Sequence, residues 1–313
     1  MTSFGLGTVD RVIRGRARAR APGRRPGEPR LIGLVYIAPA FVLYALFVLL
    51  PAIDGAWISL FRWDGVTVAT WTGLGNYADA VTDPVVQEAF IHAAVLILFY
   101  SIAPVCLGLI ITAALSRHRI RGLTAFRTIV FLPQIVAAVV IGVAWQWMYD
   151  PQGPLNGLLS AVGLNGLTRA WLGDFGLALP AVGVIGTWVT TGLCAVLFIA
   201  GVQQIPLDRY DAARVDGAGP VREFFAVTLP GLRNEIVVAL LLTVVDALRA
   251  FDLIFVTTKG GPGTETYVPT ILIYKRAFQS GQVGSAAAIA AILTAIVLLV
   301  SVGIRRLEEA REA

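Results

Sequence analysis

Charge is scarce in this chain. Asp, Glu, Lys and Arg make up 14% of its 313 residues, against about 25% in soluble domains. Hydrophobic residues make up 57% and the mean hydropathy is +0.75, which excludes a soluble globular domain. Cysteine is scarcer still. Cys106 and Cys194 both lie inside apolar runs, where they read as small core residues and not as a disulfide or a metal site. The two histidines, His92 and His118, stand far apart and have no ligand-spaced partners. No glycine cluster is followed by Gly-Lys-Ser/Thr, so the chain carries no nucleotide loop and no bound cofactor is expected. No nucleophile–base pair supports a membrane enzyme.

What the chain does have is a series of apolar runs. A membrane-crossing helix needs about 20 apolar residues. Six runs qualify, at about 32–53, 91–115, 126–148, 177–202, 235–257 and 285–304. The expected fold is all-α and polytopic: a disordered basic arm over 1–30, a membrane domain over 31–306 and a short tail over 307–313. The first apolar run is longer than the core of a secretory signal. Nineteen of the 25 Lys and Arg residues fall in the arm, in 117–127, in 203–233 and in 305–313. That bias puts these segments and both termini in the cytosol. It accounts for the net charge of +5 without a nucleic-acid partner.

Several polar or kinking residues lie inside the runs. Pro104 should kink the second and free a carbonyl that neighbours or water must satisfy. Thr187, Thr190 and Thr191 in the fourth are expected to bond backbone. The fifth holds Asp246, Arg249 and Asp252. A charge at mid-membrane costs on the order of 2.5–3.5 kcal/mol, so these three should face protein or water. Two readings stay open. One is an ion pair, with Arg249 within helical reach of either acid; the other is the polar wall of a translocation path.

The longest polar-rich stretch between apolar blocks is 203–230. Pro206 suits the first turn of a helix and Asp208 its positive end. Gly217 stands where a left-handed residue closes a helix. Gly219-Pro220 restarts one, and Leu229-Pro230 should end it. Leu207, Tyr210 and Ala213, then Val221, Phe224, Phe225 and Thr228, keep helical spacing. The segment is either an ordinary loop packed on its own chain or a knob that docks on another.

The order Asp211-Ala212-Ala213, Asp216-Gly217-Ala218, then Phe224, Val227 and Leu229-Pro230 resembles the coupling loop of permease subunits in binding-protein-dependent ABC importers. Asp211 departs from the family's glutamate and is one methylene shorter. Phe251-Asp252 with Thr258, Gly260-Gly261-Pro262, the block from Phe131-Leu132-Pro133 to Asn156, and Gly73 with Asn76-Tyr77 are similar to the maltose-type carbohydrate members. The resemblance implies a type I ABC importer permease fold in a bacterial plasma membrane. It implies that Asp211, Ala212, Ala213, Asp216, Gly217, Ala218, Phe224, Leu229 and Pro230 pass motion from an ATPase. The implied partners are a second permease subunit, two ATP-binding subunits carrying ATP and Mg, an extracytoplasmic solute-binding protein, membrane lipid and a sugar. Glycerol-phosphate or another polyol is the alternative cargo. Within the family, Trp145, Trp147 and Trp188 read as stacking faces on the path or as interface anchors. An ion-coupled carrier using Asp246, Arg249 and Asp252 is the rival reading.

Overall fold

The computed structural model describes residues 30–115 and 122–309. The basic arm up to residue 29, the arginine-rich turn at 116–121 and the last four residues lie outside the described residues. The chain divides into two units, residues 1–53 and 54–313. Helix α1 (Arg30–Tyr44) continues through one π turn, Ala45–Leu49, into α2 (Leu50–Ile58), whose last five residues belong to the second unit. The outcome is a 24-residue apolar helix, Val35–Ile58, longer than the expected run.

After α2 the second unit continues with a small antiparallel ribbon, β1 (Phe61–Arg62) and β2 (Thr70–Trp71), with Phe61 opposite Trp71. Helix α3 (Gly75–Thr82) follows, and its Asn76 amide donates to the carbonyls of Ser59 and Phe61 at 2.8 Å each. Helix α4 (Pro84–Ile97) starts as its sequence dictates: Asp83 accepts from the Val85 N–H at 2.8 Å, and Pro84 takes the first helical position.

A π turn at Leu98–Ile102 joins α4 to α5 (Ala103–Leu115), giving one 32-residue helix, Pro84–Leu115. Pro104 cannot donate to Tyr100, the acceptor four residues back. Thr190 donates to that carbonyl at 3.1 Å, and Thr187 donates to the Phe99 carbonyl at 2.6 Å. The expected need for a neighbour is met by hydroxyls of another helix.

That helix is α9 (Ala178–Val202), the centre of the unit, with Val182, Ile185 and Phe198 fully buried. In lipid, helices associate by close packing more than by water exclusion, and α9 has the glycines for it. A Cβ on Gly192 would stand 2.2 Å from the Val130 carbonyl oxygen of α6 (Leu123–Ile135). A Cβ on Gly108 of α5 would stand 2.9 Å from the Cys194 Cβ.

Two expected straight spans are broken. Helix α6 and α7 (Ala138–Met148) are bent by 95° at Val136–Ala137, where the backbone is extended. The expected 235–257 run divides into α13 (Arg233–Leu248) and α14 (Asp252–Thr257). Its freed Ala250 carbonyl accepts from Thr270 at 2.5 Å. Gln146 of α7 donates to the Val256 and Thr257 carbonyls at 2.9 Å each. Broken helices are tolerated at membrane depth only where protein or a cavity takes up the loose groups.

Helix α8 (Pro154–Ala161) lies in the 149–176 loop. Helices α10 (Leu207–Val215), α11 (Pro220–Glu223) and α12 (Leu229–Gly231) fill the polar segment. Helix α15 (Pro269–Tyr274) and its π turn Lys275–Gln279 lead into α16 (Val283–Glu309). Among the described residues four helices are long and apolar enough to cross a membrane, or five with α6–α7 taken as one. The remaining expected run, the fifth, is the broken α13–α14. Apart from the ribbon, the fold is helical, as the sequence implies.

Candidate functional site

Two constructions stand out: the bent polar loop and a charged hollow at the helix breaks. In the loop, α10 begins after Pro206, which takes the cap position and not the first turn, and Asp208 sits in the first turn. Gly217 adopts φ +74°. The Ala218 N–H reaches the Ala213 carbonyl at 2.9 Å and the Gly217 N–H reaches Arg214 at 3.0 Å, the paired bonds of a Schellman close. A Cβ on Gly217 would touch nothing within 4 Å, so the left-handed backbone alone calls for glycine. Pro220 restarts the helix at its first position.

The helix does not end at Leu229-Pro230 as expected; it runs on to Gly231. A π turn at Phe224–Thr228 widens the backbone just ahead of Pro230, and the Leu229 N–H bonds Phe224 five residues back. The wider turn carries the proline without stopping the helix.

Side-chain bonds hold the two arms together. Arg214 Nε donates to Glu223 Oε2 at 2.9 Å, and its Nη1 meets Asp211 Oδ1 at 3.3 Å. The Glu223 hydrogen bond pushes the Arg214 guanidinium further up, so it stays charged. The Tyr210 hydroxyl meets Thr228 Oγ1 at 3.2 Å. The apolar residues at helical spacing therefore divide: Tyr210 and Thr228 turn inward, while Leu207, Val221 and Phe225 are exposed, as is Val215. Asp211, Ala212, Asp216, Gly217 and Pro230 are exposed; Ala213, Phe224 and Leu229 are half-buried. Ala218 lines a hollow of about 610 Å³ with Leu207, Tyr210, Arg214 and Glu223.

The second construction is a hollow of about 280 Å³ where the two breaks meet. Gln134, Val136 and Ala138 come from the α6–α7 break, and Arg249, Phe251 and Asp252 from the α13–α14 break. Asp246, Tyr100 and Thr190 complete the wall. All three charged residues are exposed to it. Because the helix breaks at Arg249, the continuous-helix pairing expected for it is absent: among the described residues no carboxylate lies within 4 Å of its guanidinium. The Tyr100 hydroxyl is buried and, among the described residues, has no hydrogen-bond partner.

The tryptophans do not join this hollow. Trp145 meets Trp188 at 5.7 Å and Tyr149 at 5.0 Å. Trp147 is exposed. Thr187, Thr190 and Thr191 bond backbone carbonyls, as expected of hydroxyls in a helical bundle. Sequence reasoning missed Tyr100, Gln134 and Gln146, which are single polar residues in apolar runs. Among the described residues no group of three or more His, Cys, Asp or Glu converges as metal ligands do.

Residues 105–312 match the family model described as binding-protein-dependent transport system inner membrane component. The probable ABC transporter permease protein YurN of Bacillus subtilis is 36% identical over 277 residues, covering 88% of this chain and 94% of its own. The trehalose/maltose transport system permease protein MalF of Thermococcus litoralis is 33% identical, covering 86% and 90%. The diacetylchitobiose uptake system permease protein NgcF of Streptomyces coelicolor is 31% identical, covering 90% and 86%. The fold is that of a bacterial ABC transporter chain involved in alginate import: TM-score 0.75 at 21% identity, over 90% of this chain and 96% of that one.

Proposed function

The chain belongs to the family of binding-protein-dependent transport system inner membrane components, and we propose that it is one half of the pathway of an ATP-driven carbohydrate importer. The family is the membrane component, not a hydrolytic subunit. The cargo reading rests on relatives named for trehalose and maltose, for diacetylchitobiose and for multiple sugars. In this reading a second permease subunit supplies the other half. Two ATP-binding subunits hold ATP and Mg on the cytosolic side, and an extracytoplasmic solute-binding protein delivers the sugar. The arginine bias supports a plasma-membrane orientation with both termini and the polar loop in the cytosol.

One observation carries the reading of the path: the hollow at the two helix breaks, with Asp246, Arg249 and Asp252 open to it and the Tyr100 hydroxyl unpartnered. Three charges at this depth cannot face lipid without a cost of several kcal/mol. An orphaned hydroxyl is a bond waiting for a polar cargo or water. Closure of the ATPases on the loop 203–230 moves α13, which follows it directly, and opens the hollow outward.

The test is uptake by the complex reconstituted in liposomes with its binding protein. ATP-dependent sugar uptake that survives collapse of proton and sodium gradients supports the proposal. Uptake that needs an ion gradient and no ATP identifies an ion-coupled carrier.

A further inference from the structure

Helix α14 has six residues, Asp252–Thr257, too few to hold helical form alone. It begins at Asp252, on the wall of the charged hollow. Its far end is held from α7. The Gln146 carboxamide nitrogen donates to the Val256 and Thr257 carbonyls at 2.9 Å each. These are two of the acceptors that a helix leaves bare at its C-terminus. A carboxamide has two N–H groups, so the pair of bonds uses its whole donor capacity. One turn earlier on α7, Gly142 lets the two helices touch: a Cβ there would stand 2.7 Å from Val256 Cγ1. Ile141 of α7 and Ile254 of α14 are buried in one apolar cluster.

We infer that Gln146 is a positioning residue for the translocation path: it holds α14 against α7 and, through α14, keeps Asp252 on the wall of the hollow. The role of the hollow rests on the importer reading, and the hold on α14 goes beyond it. Gln146 stands outside the lining of the hollow, so its effect must travel through the helix. At 1.5 Å per residue α14 is about 9 Å long, and its two ends turn together. The break at Arg249–Phe251 parts it from α13, which therefore does not set its rotation. Apolar contacts such as Ile141 with Ile254 keep the helices close but are non-directional. Two hydrogen bonds to adjacent carbonyls are directional and fix which way Asp252 faces.

The experiment uses the full complex in liposomes with its binding protein, and maltose, trehalose and diacetylchitobiose as probe sugars. Uptake is measured for the unaltered chain, Gln146→Met, Asp252→Asn and the double variant. Methionine keeps the length of glutamine and has no donor. Positioning predicts that Gln146→Met raises KM by about tenfold, the scale of one lost hydrogen bond, and that the double variant is no worse than Asp252→Asn alone. A further chain has Cys106 and Cys194 replaced by alanine and carries Gln146→Cys with Val256→Cys. It should show the same raised KM and recover when a short bis-thiosulfonate spacer links the two cysteines. Unchanged KM with less assembled complex in Gln146→Met, additive losses in the double variant, or a link that blocks uptake overturns the role. If the unaltered complex takes up none of these sugars, the carbohydrate reading falls by itself. Positioning is then decided by the rate at which a water-soluble thiosulfonate labels Asp252→Cys in the same cysteine-free chain: Gln146→Met should shift that rate several-fold, and an unchanged rate overturns the role.

Discussion

Arg214 and Glu223, nine residues apart in sequence, face each other across the bend at Gly217–Gly219 with Nε and Oε2 2.9 Å apart. The pair fastens α10 to α11. The Arg214 side chain is 60% exposed and that of Glu223 13%, so solvent screens the pair and it contributes little to stability. Its role is to keep the loop from flexing when pushed. Arg214→Ala and Glu223→Ala are each expected to leave the melting temperature nearly unchanged and to lower sugar moved per ATP several-fold. The double variant should be no worse than either single one. Additive losses in a double-mutant cycle would show that the residues act separately.

Gly217 is the second element of that rigidity. A non-glycine residue at its φ of +74° costs about 1–2 kcal/mol, and the open space around it means strain without collision inside this chain. Gly217→Leu should insert and assemble normally yet lose uptake while ATP hydrolysis continues. Gly217→Asn, which tolerates the left-handed region, should retain most uptake. Full uptake in the leucine variant would count against a coupling role.

The Tyr100 hydroxyl is buried on the wall of the hollow and unpartnered among the described residues. Removing an unsatisfied buried polar group is neutral or stabilising. Tyr100→Phe should therefore keep or raise the melting temperature while raising KM for sugar by roughly 10-fold, the cost of one lost hydrogen bond of about 1.4 kcal/mol. A fall in stability with unchanged KM would make the hydroxyl structural.

Thr190 and Thr187 do the opposite work, because each caps a carbonyl loosened by Pro104. Valine at either position keeps the shape and leaves a buried acceptor bare, which costs about 1–3 kcal/mol. Thermal unfolding in detergent should register the loss for Thr187→Val and Thr190→Val, with Thr→Ser close to normal at both sites.

Prolines made part of this architecture legible, and distant partners hid the rest. The π turns at Ala45–Leu49, Leu98–Ile102 and Phe224–Thr228 each end two residues before a proline, Pro51, Pro104 and Pro230. The residue before each proline bonds five residues back, so the helix widens and continues where a stop was expected at Pro230. The bend of the polar loop was readable because Gly217 and Gly219-Pro220 act locally. The break at Arg249–Phe251 was not. Ala-Leu-Arg-Ala-Phe-Asp carries no breaker, and the freed Ala250 carbonyl is taken up by Thr270, 20 residues on. Trp145 and Trp188 meet across two helices while Trp147 is exposed, a division that periodicity alone cannot reveal.

A bent loop that serves as a lever for a separate ATPase must stand on the cytosolic side of the membrane. A single cysteine at Val221, in a chain with Cys106 and Cys194 replaced by alanine, probed with a membrane-impermeant maleimide, tests it most directly. A cytosolic lever is labelled in inside-out vesicles, protected when the ATPase subunits are bound, and unlabelled in right-side-out vesicles. Labelling from the outside, or labelling indifferent to the ATPase, would contradict it.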